Sequence, residues 1–116
     1  MSFDAILGGL LEVPGAVAAA FFDPQGEVIA RSGDEAATEI FGAYQSVWLG
    51  ELGRAADRAG LGPIADLSLE FESRRLMTLP VKAGFFLLVV LSPASRPSVV
   101  RARMEEARGR LAAEVS

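Results

Sequence analysis

The chain has no histidine and no cysteine, and that removes most side-chain chemistry at once. Ser-His and Cys-His nucleophile pairs cannot be assembled. The usual nitrogen and sulfur ligands of zinc and haem are missing as well, and no carboxylate set has metal-ligand spacing. Neither a GxxxxGK[ST] nor a GxGxxG pattern occurs, so no phosphate-cradling loop is expected. We therefore expect no catalytic, cofactor or metal residues. What remains is a group of charged and aromatic side chains on one helical segment. Glu51, Arg54 and Arg58 lie at the edge of its apolar stripe. An arginine presented from such a helix can stabilise charge developing on a phosphoryl group held by another protein. The plainer reading is a solvated flank in which Glu51 attracts Arg54 and Arg58. Tyr44 and Trp48 are one turn apart and share a face. They suit a core, an interface between copies, or contact with another protein, since aromatics concentrate at interface centres.

The elements that carry these residues follow from apolar patterning. Residues 15–22 and 84–91 are short, nearly unbroken apolar runs. Each is too short to span a bilayer as a helix, and both fit strands covered on two faces. Ser2 can cap a helix over residues 3–12, with Ile6, Leu7, Leu10 and Leu11 at helical spacing. Asp23-Pro24-Gln25-Gly26 is a turn signal, and residues 27–32 return as a partner strand. A long helix is expected over residues 34–59, with Asp34 and Glu35 near its positive end. Its apolar positions (Ala37, Ile40, Phe41, Tyr44, Val47, Trp48, Leu52, Ala55 and Ala59) span more of the wheel than packing on one surface needs. The helix should therefore touch its own sheet and something else.

Residues 64–72 alternate cleanly, with Leu67, Leu69 and Phe71 on one side and Asp66, Ser68, Glu70 and Glu72 on the other. A second, weaker alternating strand spans 74–81. Arg74 and Arg75 at its start can face Glu72 or a second copy, and Pro80 removes one ladder donor, which suggests a bulge or strand end. Lys82-Ala83-Gly84 forms a tight hairpin into the second apolar run. A last helix follows the prolines at 93 and 97, with Val100, Met104, Ala107 and Leu111 as its stripe. Its arginines are interleaved with Glu105, Glu106 and Glu114, as on an ordinary solvated face.

At 116 residues one domain over residues 1–116 is expected, with a sizeable core. Half the residues are apolar and the net charge is −4, which argues against a nucleic-acid partner. No signal-like segment or membrane-inserting stretch is evident, so a cytoplasmic location is expected. Short hairpins pair strands one with two and three with four with five. Joining the two apolar strands at the centre gives the order 2-1-5-4-3. The expected fold is a three-layer α/β sandwich of the α+β kind. Its five-stranded antiparallel sheet carries the long helix on one face and the two terminal helices on the other. The third strand then lies at an edge with unpaired backbone groups, which invites pairing between copies. Its acidic side chains also fit edge protection in a monomer.

This element order resembles the Roadblock/dynein-light-chain family. So do the strand-turn-strand of residues 15–30, the hairpin of residues 79–90 and the closing helix over residues 99–111. The likeness covers nearly the whole chain, and the Ala-, Gly- and Arg-rich composition favours a prokaryotic member of the MglB type. It implies a homodimer, or a heterodimer with another family member, joined through the third strand and the middle helix. Phe41, Tyr44, Trp48, Leu67, Leu69 and Phe71 would form that interface. It also implies a Ras-like small GTPase as partner, met by Val47, Glu51, Arg54 and Arg58, whose GTP hydrolysis the dimer modulates without being an enzyme. The alternative is a dimeric scaffold in a motility, polarity or signalling complex that leaves hydrolysis unchanged. A small-ligand sensor is disfavoured by the uniformly apolar central strands.

Overall fold

A computed structural model describes residues 2–33 and 35–115; Asp34 lies outside the described residues, as does the side chain of Glu35. The proposed charge at the start of the middle helix falls on those two. The elements run α1 (Phe3–Leu10), β1 (Ala16–Phe22), β2 (Val28–Gly33), α2 (Glu35–Arg58), β3 (Leu67–Glu70), β4 (Arg75–Lys82), β5 (Phe85–Leu91) and α3 (Pro97–Glu114). The sheet is antiparallel and ordered β2-β1-β5-β4-β3, as the patterning predicts.

The two apolar runs sit at the centre because side chains on both their faces are buried. Alternate residues feed two separate cores. Ala19, Phe21, Leu87, Val89 and Leu91 face α1 and α3, whose Leu7, Leu10, Met104 and Leu111 complete that layer. Ala18, Ala20, Phe22, Phe86, Leu88 and Val90 face α2 and meet Phe41 and Leu49. Stacked Phe22 and Phe86 rings, 4.8 Å between centroids, fix the second layer.

The element ends follow local chemistry. Ser2 Oγ accepts the Ala5 N–H at 3.2 Å and caps α1. That helix stops at Leu10, two residues earlier than its apolar spacing suggests. Asp23 accepts the Gly26 N–H on its carbonyl at 3.0 Å and the Gln25 N–H on its carboxylate at 2.9 Å, which closes the β1–β2 turn. Pairing of β4 with β5 shifts register between Pro80 and Lys82, a bulge where proline lacks its N–H.

Two strands differ from expectation. β3 is four residues long, not nine: the ladder runs only from Leu67, opposite Thr78, to Glu70, opposite Arg75. β4 is no half-covered strand, since Leu76, Met77, Thr78 and Leu79 are all buried. Thr78 hid this in the sequence. Its hydroxyl, facing α2, donates to Gln45 Oε1, so a polar residue sits in an otherwise apolar layer.

Candidate functional site

Helix α2 is oriented contrary to its own composition. With 3.6 residues per turn, the side against the sheet is Thr38, Gly42, Gln45 and Leu49, of which Thr38, Gly42 and Gln45 are fully buried. Apart from Leu49, with Ala37 and Phe41 packed beside them, these are small or polar. Gly42 lies so close to the sheet that an added Cβ would fall 2.0 Å from the Phe22 ring. The opposite side carries Ile40, Tyr44 and Val47, which are 57%, 59% and 60% exposed. An ordinary surface helix has these faces reversed. The wide apolar arc read in the sequence is therefore divided: Ala37 and Phe41 pack against the core beneath the helix, while Ile40, Tyr44, Val47 and Leu52 are exposed.

Each flank of α2 has an identifiable neighbour. One side is tied to the β1–β2 hairpin, where Ser46 Oγ donates to the Pro24 carbonyl at 2.9 Å and Arg31 of β2 pairs with Glu39. The other side leans over β3. Phe41 meets Phe71, just beyond the strand, at 5.6 Å between ring centroids. Tyr44 and Trp48 stack on each other at 6.0 Å. Neither ring belongs to the cores, so the core reading for this pair is set aside: Tyr44 is exposed and Trp48 half-buried.

Leu67 and Leu69 lie on the α2 side of β3, and Leu69 packs on that core. Phe41, Tyr44, Trp48, Leu67, Leu69 and Phe71 thus line one side of the molecule, from the shoulder of α2 down to the sheet edge. Val47, Glu51, Arg54 and Arg58 are all exposed on the outward side of the helix. Arg54 pairs with Glu51 at 2.8 Å, both largely solvated; an i,i+3 pair of this kind contributes about 0.2–0.5 kcal/mol. Ile40, also exposed, lies on this outward side, and exposed Leu52 lies on the flank of Phe41 and Trp48. Their apolar spacing was readable, but nothing local marked them as exposed.

The acidic edge residues have partners. Asp66 accepts from Arg101 of α3 at 2.6 Å, and Glu70 accepts from Arg75 Nε at 2.9 Å. Arg75 faces Glu70 rather than Glu72 and also reaches the Ser95 carbonyl at 3.3 Å. Arg74 donates to the Ser73 carbonyl at 2.8 Å. On α3, Arg108 pairs with Glu105 and Arg110 with Glu106, so its interleaved charges neutralise one another.

An apolar groove of 360 Å³ opens at the C-terminal half of α2, where Gly50 and Gly53 leave space against Ile64, Pro80 and Phe86. Among the described residues no group of acidic side chains is arranged to hold a metal, and no helix is long and apolar enough to cross a membrane.

The Roadblock/LC7 domain profile matches residues 3–92. The chain belongs to the Roadblock/LC7 family. Solved structures of the same fold include a Roadblock/LC7 domain from Streptomyces avermitilis (TM-score 0.87, 20% identity, 96% of this chain and 95% of that one). Myxococcus xanthus MglB is similar as well (TM-score 0.86, 19% identity, 94% and 84% covered). So is an MglB with a tetrameric arrangement (TM-score 0.83, 18% identity, 93% and 83% covered). At such identities the likeness concerns the fold. No curated protein matches by sequence.

Proposed function

We propose that this chain acts as a single-domain, non-enzymatic homodimer that binds a Ras-like small GTPase and modulates its GTP hydrolysis. The observation that carries the reading is the inverted helix α2, with Ile40, Tyr44 and Val47 exposed above a free sheet edge. An exposed apolar stripe on a helix is stable when another protein covers it. Two covers are needed. The shoulder at Phe41, Tyr44 and Trp48, continuous with Leu67, Leu69 and Phe71, suits a second copy; the tetrameric MglB relative supports self-association. The outward side, with Val47, Glu51, Arg54 and Arg58, stays open above the joined sheets and suits the GTPase. Family membership and the likeness to MglB supply the partner class.

Single-turnover GTP hydrolysis by the Ras-like GTPase of the same organism, with and without the chain, tests this. Val47→Asp places a charge in the centre of the stripe without touching either core. It should leave the fold intact and reduce stimulation at least tenfold. Arg54→Ala should retain stimulation, because that arginine is an exposed partner of Glu51 rather than a residue aimed at phosphate. Binding with no change in hydrolysis would favour the scaffold reading.

A further inference from the structure

Helix α2 has a second, more apolar way to sit on the sheet, one residue round from the one observed. Successive residues are about 100° apart around a helix. The observed seating turns Thr38, Gly42, Gln45 and Leu49 towards the sheet. A turn by one residue would bring in Ala37, Phe41, Tyr44 and Trp48 in their place. It would also direct Glu39, Ser46 and Asp57 to solvent. The turned helix would have the ordinary division of a surface helix, apolar within and polar outside. Hydrophobic burial alone therefore favours the turned seating, and something within the layer must hold the observed one.

Gly42 permits the close approach to Phe22, but a glycine attracts nothing. The attraction comes from Gln45 and Thr78, both fully buried. Thr78 stands between Leu76 and Pro80 along β4, opposite Leu67 of β3 and Leu88 of β5, so its neighbours in the layer are apolar. Its hydroxyl donates to Gln45 Oε1, and Gln45 Nε2 has no partner among the described residues. With the amide turned over, Nε2 would donate to the hydroxyl and Oε1 would be the unpaired atom. Either way one hydrogen bond joins helix to sheet. In the turned seating Tyr44 takes the place of Gln45 and Thr78 loses its acceptor. An unpaired polar group in such a layer carries its full desolvation cost. The other ties of α2, Arg31 with Glu39 and Ser46 with Pro24, lie at an exposed flank, where ion pairs contribute little.

We infer that the Gln45–Thr78 hydrogen bond is a pin that selects the partner-binding seating of α2 over a seating one residue round, in which Phe41, Tyr44 and Trp48 are drawn onto the sheet. Gln45 and Thr78 are positioning residues. Neither reaches the surface, yet together they hold Ile40, Tyr44 and Val47 outward. A buried polar contact that fixes a helix register at some cost in stability has the same logic in coiled coils. The inference rests on the GTPase-binding reading above and adds what keeps that surface presented.

Gly42 reports the seating by proton NMR, since it lies against the Phe22 ring and its Hα protons should carry a ring-current shift. Thr78→Val strands the Gln45 amide in the observed seating. The folded variant should lose the Gly42 shift and, with it, binding of the organism's Ras-like GTPase. Adding Gln45→Leu puts an apolar side chain at the inward position, so shift and binding should return. Thr78→Ser keeps the hydroxyl and should keep both. Gln45→Ala, which removes the acceptor instead, repeats the test if Thr78→Val does not fold, and should also lose the shift. A folded Thr78→Val chain that is merely less stable, with the Gly42 shift unchanged, would overturn the pin. So would failure of Gln45→Leu to restore the shift, or a wild-type chain without it. A wild-type chain that shows the shift but binds no GTPase would remove the functional reading and leave the pin standing, because the NMR readout needs no partner.

Discussion

Two residues hold positions that their types do not favour, and each yields a measurable consequence. Ala83 has φ 49° and Gly84 φ 90°, the two positive values that a two-residue hairpin turn of type I′ requires. Alanine there meets the left-handed penalty of about 1–2 kcal/mol. Ala83→Asn should stabilise the protein by about 0.5–1 kcal/mol, read as a higher urea midpoint with an unchanged slope. Gln45 is the second case. It accepts from Thr78 in the buried layer beneath α2, while its Nε2 has no partner among the described residues. Thr78→Val strands the whole amide and should cost about 1–3 kcal/mol. Adding Gln45→Leu removes the stranded group, so the double variant should recover most of that loss; a double-mutant cycle in urea checks both values.

At the scale of the element, α2 unites close packing on one side with an uncovered face on the other. Gly42→Ala gains about 1 kcal/mol of helix propensity. It also drives a methyl to 2.0 Å from Phe22, a ring already stacked on Phe86. Overpacking of this kind costs about 1–3 kcal/mol, and we expect a net loss of stability in thermal unfolding. Gly53→Ala, with nothing within 4 Å of the added carbon, should gain most of the propensity term instead. The sequence made α2 legible as a helix that needs two partners, because its apolar arc is too wide for one surface. Which side faces the sheet was not legible. Hydrophobicity points Tyr44 and Val47 inward, but Gly42 allows the closest approach and Thr38 and Gln45 follow it in. The strands divide in the same way. β1 and β5 declare two-sided burial through unbroken apolar runs, whereas the burial of β4 is interrupted by Thr78 and so read as lateral. β3 was overextended because residues 64–66 and 71–72 continue the alternation after pairing has ended.

For the whole molecule, sheet order was legible from hairpin lengths and the two apolar strands alone. The surface was legible only in part, since Asp66 and Glu70 look repulsive until Arg101 and Arg75 are placed beside them. Those pairings come from α3 and β4, far from or across a turn from β3, and no local pattern announces them. The assembled account is a dimer whose joined edges hold two α2 helices side by side, with Val47 and its neighbours facing outward towards a GTPase. The most direct test is the mass in solution by light scattering after size exclusion, with the organism's Ras-like GTPase in its GTP-analogue and GDP forms. The account predicts a dimer of twice 12.2 kDa that gains the mass of a GTPase only with the GTP-analogue form. A chain that stays at 12.2 kDa, or a dimer indifferent to both forms, would contradict it.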